Sequence, residues 1–149
     1  MIKRKEGGFL IAKIHQLSGR IFEKLLKNNN INEISPAQGR ILFVLWENDN
    51  LPIYELSKKT QLKKSTLTSM LDRLEKKGYI KRSYSEQDRR LIIIKRTEKD
   101  NSFQDLYKKV SEKMIDIFYS DFKENEITDF EYYLKKILNN LESYEEKNK

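Results

Sequence analysis

Apolar residues recur at helical spacing along most of the chain. A stripe near the N-terminus, at steps of three or four residues, predicts an amphipathic helix: Leu10, Ile14, Leu17, Ile21 and Leu25. The polar run Asn28–Asn30 should end this helix. A second helix is predicted to begin at Ser35, because Ser35, Pro36 and Gln38 form a capping-box sequence. The run Ile41–Trp46 makes this helix apolar on nearly every side, so the helix should be buried.

Two short helices joined by a tight turn follow a predicted loop over residues 47–52. The first is predicted over Ile53–Lys59, and the second from Lys64 to about Lys77. The second helix should bury one stripe of side chains, namely Leu67, Met70, Leu71 and Leu74. Gly78 then stands at the C′ position, where a positive φ costs little for glycine.

A β-hairpin and two long helices complete the pattern. The β-branched and aromatic segments Ile80–Tyr84 and Leu91–Arg96 flank a polar stretch, which predicts a hairpin with an exposed tip. From Thr97 onward the spacing is helical, with one seam at Phe103, Tyr107, Val110, Met114 and Ile117/Phe118, and a second at Ile127, Phe130, Leu134, Ile137, Leu141 and Tyr144. The second seam alternates three and four residues and requires a partner helix. The fold class predicted is mainly α (α+β), with a helix–turn–helix followed by a two-stranded wing.

Composition excludes several kinds of chemistry. The 149 residues suit one domain, and the absence of cysteine excludes disulfides, thiol nucleophiles, iron–sulfur sites and thiol redox sensing. The single histidine, His15, cannot build a multi-histidine metal cage, so we expect no metal and no cofactor. No glycine-rich phosphate loop or paired nucleophile and base is present, which argues against an enzyme. The short apolar runs and the absence of a signal-peptide core predict a soluble, cytoplasmic protein with no membrane partner.

The positive charge is concentrated in one block of the chain. The net charge is +7, yet residues 58–99 contain 14 Lys and Arg against 5 Asp and Glu, a net of +9. Residues 100–149 contain 8 against 12, a net of −4. A localised basic block indicates a polyanion partner, most often nucleic acid, or else an ordinary solvated surface.

The second helix of the pair has the composition of a DNA recognition helix. Lys63 and Lys64 precede its free backbone N–H groups, which favour phosphate. Away from its apolar stripe it carries short hydroxyls and an arginine that suit base edges in a major groove: Ser65, Thr66, Thr68, Ser69 and Arg73. The alternative is an ordinary solvent-exposed helix.

The hairpin tip supplies a second candidate DNA contact. Arg89 and Arg90 lie far enough from the strand ends to reach an adjacent minor groove, where narrow A·T-rich segments attract arginine. Phosphate would repel an unpaired Asp88, so we expect Asp88 to pair with an arginine and hold the tip. The alternative is a surface ion pair that contributes little.

Residues 64–82, followed by Asp88-Arg-Arg90 and Thr97-Glu-Lys99, resemble the multiple-antibiotic-resistance regulator (MarR) family, as do residues 35–45. The resemblance implies a single MarR-type domain over 1–149, with a winged helix–turn–helix DNA-binding region over 31–99 and a helical dimerisation region over 8–30 and 100–149. It further implies a homodimer that binds pseudo-palindromic operator DNA, with repression as the family expectation. Two positions depart from the family, which usually has an apolar residue at Arg96 and a glycine at Asp100. We expect Arg96 to contact phosphate or solvent and Asp100 to cap the next helix.

The long amphipathic helices predict a dimer, and the family resemblance adds an effector. Three long amphipathic segments exceed what one core of this size needs, so we expect them to pair with a second copy rather than form a monomeric cap. The residues assigned to this interface are Leu10, Ile14, Ile127, Leu134, Ile137 and Leu141. Many MarR relatives bind a small aromatic acid or similar effector; candidate contacts here are His15, Phe43, Trp46 and Phe118, with core packing as the alternative. A winged-helix protein-interaction module, or an activator without an effector, stays open as another function.

Overall fold

In a computed structural model of the protein, which describes residues 3–149, the helices and strands follow the predicted order with one strand more. The elements are α1 (Gly7–Asn28), α2 (Pro36–Glu47), β1 (Leu51–Pro52), α3 (Ile53–Thr60), α4 (Lys64–Lys76), β2 (Ile80–Tyr84), β3 (Ile92–Arg96), α5 (Lys99–Phe118) and α6 (Glu124–Lys147). The mainly helical, winged helix–turn–helix architecture expected from the sequence is confirmed. No helix in the described part of the chain is long and apolar enough to cross a membrane.

Local signals set the helix ends where the sequence predicts them. The Ser35 hydroxyl accepts the Gln38 N–H at 3.2 Å, and the Gln38 side chain accepts the Ser35 N–H at 3.0 Å, which completes the capping box of α2. Helix α1 ends at Asn28, and Asn30 then adopts a φ of 62°. Gly78, with a φ of 85°, follows α4 in the left-handed region that glycine tolerates.

The wing belongs to a three-stranded antiparallel sheet with the order β1-β3-β2. Leu51 pairs with Ile94, and Pro52 with Ile93, so the prediction of a loop over residues 47–52 was wrong at its last two residues. The predicted two-stranded wing, β2 with β3, is present. A strand of two residues is too short to show the alternation that identifies a strand in sequence. Pro52 fits because this strand lies at the edge of the sheet, where a missing N–H breaks no ladder.

Residues up to Glu112 form one compact unit with its own core. Leu67, Leu71 and Leu74 of α4 are fully buried there, as the spacing predicts. Helix α2 is less buried than predicted. Phe43 is 49% exposed and Trp46 is half-buried, because only one side of α2 faces the core.

Residues from Lys113 onward form a second compact unit. The Phe130 ring lies 6.3 Å from that of Phe118 and 6.4 Å from that of Phe122, and the Tyr119 hydroxyl donates to Glu131 at 2.7 Å. No side chain of α6 is fully buried in the described chain. Apart from tyrosines, the exposed large hydrophobic residues of this unit are Ile115, Ile117, Phe118, Phe122, Ile137, Leu138 and Leu141.

Candidate nucleic-acid interface

Packing of one side of α4 fixes which side chains face outward. Because the leucine stripe is buried against the core, the opposite side presents Ser65, Thr66, Ser69 and Arg73 to solvent, while Thr68 is half-buried. The turn before α4 is tight: Gln61 has a φ of 59°, and the Ser57 hydroxyl of α3 donates to the Leu62 carbonyl at 2.9 Å. These contacts set α3 and α4 as a helix–turn–helix.

The N-terminus of α4 is basic and uncapped. Lys63 is the N-cap residue, no side chain accepts a hydrogen bond from the first turn, and that turn contains no carboxylate. The first backbone bond of the helix runs from the Leu67 N–H to the Lys63 carbonyl at 2.9 Å, so the preceding N–H groups have no intrahelical acceptor. Lys63 and Lys64 are exposed beside them. The arrangement suits a phosphate group.

Arg82 of β2 neutralises the carboxylates on α4, and sequence reasoning missed it. Its guanidinium lies 2.6 Å from Asp72 and 2.9 Å from Glu75, and its backbone N–H also donates to Glu75 at 2.9 Å. Hydrogen bonds from Arg82 hold the pKa of Glu75 below its usual range, and Glu75 in turn raises the pKa of Arg82. A polyanion that approaches α4 therefore meets paired carboxylates.

An ion pair holds the tip of the wing, as expected. The guanidinium of Arg90 donates to both carboxylate oxygens of Asp88, at 3.1 and 3.2 Å, and the Arg90 N–H donates to the same group at 3.1 Å. The Ser85 hydroxyl accepts the Gln87 and Asp88 N–H groups at 3.2 and 3.3 Å, which shapes the turn. Hydrogen bonds from Arg90 lower the pKa of Asp88. Asp88 therefore holds both the backbone and the guanidinium of Arg90, although the Arg90 side chain is 90% exposed.

The outer side of the tip is an open, mixed surface. Exposed Arg89 lines a shallow cavity of about 590 Å³ together with Tyr84, Ser85 and Glu86. Tyr84 is 69% exposed at the end of β2. An aromatic ring and an arginine therefore lie side by side at the wing tip.

Arg96 and Asp100 do not play the roles that the sequence predicts. Arg96 faces the protein: one guanidinium N–H donates to Gln104 at 3.1 Å, and Nε lies 3.8 Å from Asp100 and 3.9 Å from Asp49. Asp100 does not cap α5, because it lies within the first turn, fully buried, and accepts the indole N–H of Trp46 at 2.6 Å. Burial raises the pKa of Asp100 against the opposing effects of Trp46 and Arg96. The guanidinium of Arg96 and the carboxylate of Asp100 therefore face each other rather than solvent.

The four candidate effector contacts have different environments. Trp46 packs against Tyr107 at 5.3 Å and against Phe43 at 6.4 Å, so its ring serves core packing. His15 is exposed on α1, and Phe118 packs against Phe130 in the second unit. None of the four lines the cavities at the wing tip, at the wing base or beside the C-terminal half of α4. Among residues 3–149, no three His, Asp or Glu side chains come together as metal ligands would.

Comparison with known proteins adds family evidence to this geometry. The MarR family model matches residues 34–92. The Bacillus subtilis regulator YcgE is 30% identical over 115 residues, which cover 71% of this chain and 75% of that protein. Another B. subtilis regulator, YfiV, is 37% identical over 78 residues, 52% of this chain and 49% of that protein, so the chain spans about half the length of this relative.

Solved structures agree over most of the chain. A mutant MarR from E. coli in complex with operator DNA superimposes with a TM-score of 0.78 at 26% identity, covering 88% of this chain and 92% of that one. The residues that the family model matches, 34–92, include both helices of the helix–turn–helix and the wing as far as the start of β3. The chain belongs to the MarR family of winged helix–turn–helix, DNA-binding transcriptional regulators.

Proposed function

We propose that the protein is a repressor that binds a pseudo-palindromic operator as a homodimer, with α4 in the major groove and the wing tip in the adjacent minor groove. The proposal rests on two features that occur together in the chain. One side of α4 exposes hydroxyl groups and an arginine, and the wing tip carries Arg90, which Asp88 holds. The E. coli MarR structure, a complex with operator DNA, supports it. A protein bound to an operator that overlaps a promoter blocks polymerase, so repression is the expected outcome.

The chemistry of the α4 face suits direct readout. Ser65, Thr66 and Ser69 have short side chains that let the helix approach base edges closely, and Arg73 can bond guanine with two parallel hydrogen bonds. Lys63 and Lys64 would contact phosphate at the uncapped N-terminus. Base contacts would then specify the sequence, while phosphate contacts fix the register.

Exposed apolar residues on the long helices support the homodimer. On α1, Leu10 and Ile14 are 47% and 44% exposed; on α6, Ile137 and Leu141 are 42% and 63% exposed. Ile127 and Leu134, also assigned to the interface, are half-buried. Apolar side chains repeating along a helix face at this exposure favour a partner helix over water. A two-fold dimer would present two α4 helices to successive turns of DNA.

A small organic effector that releases the DNA completes the proposal. A cavity of about 290 Å³ beside the C-terminal half of α4 is lined by Arg73 together with Leu26 of α1 and Ile34 and Asn32 of the α1–α2 loop. A ligand bound there would engage the same arginine that we assign to DNA. A screen of small organic acids for release of bound duplex tests this part. Asn32→Trp, which fills the mouth of the cavity, should abolish release while DNA binding persists, and undiminished release would contradict the location.

Salt dependence and two kinds of variant test DNA binding by α4 and the wing. Binding of a duplex should weaken steeply with salt. For each tenfold rise in salt concentration, the logarithm of the association constant should fall by roughly 0.9 per phosphate contacted. Arg90→Ala should lower the affinity about tenfold without unfolding the protein, whereas Ser69→Ala or Arg73→Ala should change the preferred sequence. Glu112→Ala, an exposed change on α5, is the control and should do neither. Unchanged affinity in Arg90→Ala, together with an unchanged sequence preference in Ser69→Ala and Arg73→Ala, would refute the assignment of DNA binding to α4 and the wing.

A further inference from the structure

A partly buried charge cluster joins the base of the wing to α2 and α5. We call it the junction cluster; it consists of Trp46 at the end of α2, Asp49 in the following loop, Arg96 at the end of β3 and Asp100 in the first turn of α5. All four residues belong to the first compact unit. Arg96 and Asp100, the two departures from the family pattern, are therefore in direct electrostatic contact.

The cluster is costly to bury, which indicates that it fixes geometry. Asp100 is fully buried, and the Arg96 side chain is 23% exposed. In the described part of the chain, Asp100 Oδ1 and Arg96 Nε are buried side-chain atoms without a hydrogen-bond partner. A buried ion pair seldom adds net stability over apolar residues of the same shape, whereas removal of one member leaves a costly unpaired charge. The cluster therefore holds its members in one arrangement.

The cluster lies at the point from which the wing extends. The Arg96 N–H donates to Asp49 at 2.9 Å, so both the backbone and the side chain of this residue are held. Arg90 lies six residues before Arg96, about 20 Å along an extended strand. A rotation of about 10° at the base would thus move the tip by about 3 Å, more than a hydrogen bond tolerates.

We propose that Arg96 and Asp100 are positioning residues that set the angle of the wing, so that the contribution of the tip to DNA binding depends on them. This inference rests on the proposed function, because it takes the tip to contact DNA. Neither residue itself contacts DNA in this account. The cluster acts through Arg90, whose own ion pair with Asp88 orders only the tip.

A double-mutant cycle tests the proposal on the 149-residue chain. Arg90→Ala is measured in the wild-type background and in Asp100→Asn, which keeps an oxygen to accept the Trp46 N–H and removes the charge that faces Arg96. We expect Arg90→Ala to cost about tenfold in duplex affinity in the wild type and less than about threefold in Asp100→Asn. Asp105→Asn, an exposed carboxylate change on the same helix, should leave the tenfold cost intact. An equal cost in Asp100→Asn would overturn the proposal.

Hydrogen exchange of the free protein gives a readout that requires no DNA. Asp100→Asn should accelerate exchange of backbone N–H groups in Ile80–Arg96, while α4 keeps its wild-type protection. Unchanged exchange in the wing would overturn the proposal, and an absence of duplex binding by the wild type would refute the proposed function instead. Arg96→Leu, which restores an apolar residue at this position, provides a second variant if Asp100→Asn does not fold. It should show the same loss of wing protection.

Discussion

Gly39 of α2 lies against the ring of Tyr107 of α5, and replacing it with alanine should destabilise the protein. A Cβ built on its backbone would fall 2.6 Å from both Cε2 and Cζ of Tyr107. Tyr107 is 4% exposed, and its ring is bounded by Phe22 at 5.6 Å and Trp46 at 5.3 Å. The ring therefore cannot move aside without disturbing the aromatic core.

Two opposing effects determine the magnitude. Alanine in a helix interior normally stabilises by about 0.5–1 kcal/mol relative to glycine. Overpacking of a dense core costs about 1–3 kcal/mol, and a contact this short at Tyr107 calls for the upper part of that range. For Gly39→Ala we expect a net loss of about 1–2 kcal/mol in the free energy of unfolding. In a chain of this length that corresponds to a fall of about 2–8 °C in Tm.

Thermal and urea unfolding followed by circular dichroism would measure this change. Gly19→Ala is the matched control, because Gly19 also lies inside a helix but a Cβ there meets nothing within 4 Å. The control should therefore be neutral or more stable than the wild type, by up to about 1 kcal/mol. A Gly39→Ala protein as stable as the wild type would refute the packing described for Tyr107.

Three further predictions concern the dimer, the buried carboxylate and the charges beside α4. Ile137→Lys with Leu141→Lys should convert the proposed homodimer to monomers in light scattering; a persistent dimer would contradict the assignment of these residues to the interface. Because the pKa of Asp100 is raised above its ordinary 3.8 in the folded state, its contribution to stability is greatest at low pH and is lost as the pH rises. The free energy of unfolding of Asp100→Asn minus that of the wild type should therefore increase from about pH 3.8 upward, and a flat difference would exclude the raised pKa. Arg82→Ala should weaken duplex binding about three- to tenfold, since Glu75 loses its partner near phosphate; unchanged affinity would show that this neutralisation is unimportant.

Controls for these variants come from neighbouring exposed positions. Lys136→Glu changes charge on the same helix as Leu141 but outside the apolar seam, and should leave the proposed homodimer intact. For Asp105→Asn, the free energy of unfolding relative to the wild type should not rise with pH as it does for Asp100→Asn. Lys81→Ala, one residue before Arg82, removes a positive charge without unpairing a carboxylate. Its effect on duplex affinity gives the baseline for loss of charge alone.

Local signals were sufficient to predict most of the fold. The capping box at Ser35, the leucine stripe of α4 and the positive φ of Gly78 each depend on residues within one turn of one another, so sequence spacing reveals them. The pairing of Asp88 with Arg90 was predictable for the same reason, because the two residues are two positions apart. Strand β1 was not predicted because two residues are too few to show the apolar–polar alternation of a strand.

Contacts between distant residues could not be predicted from the sequence. The bond from Trp46 to Asp100 spans 54 positions, and the pairing of Arg82 with Asp72 requires β2 to pack beside α4. Arg96 and Asp100 were noticed as departures from the family, yet nothing in the sequence showed that they face each other. Charged side chains are usually exposed, and here the contacts of Arg96 and Asp100 with each other, with Trp46 and with Gln104 turn both toward the protein.

Selection of bound duplexes from a random library, with the wild-type protein at physiological salt, tests the central claim most directly. We expect enrichment of a two-fold symmetric site whose half-sites lie about 10 base pairs apart, one helical turn, as two α4 helices in a dimer require. We also expect Ser69→Ala to enrich a different half-site. Recovery of no common sequence, or of a single asymmetric site, would contradict the account of a dimer that reads DNA through α4.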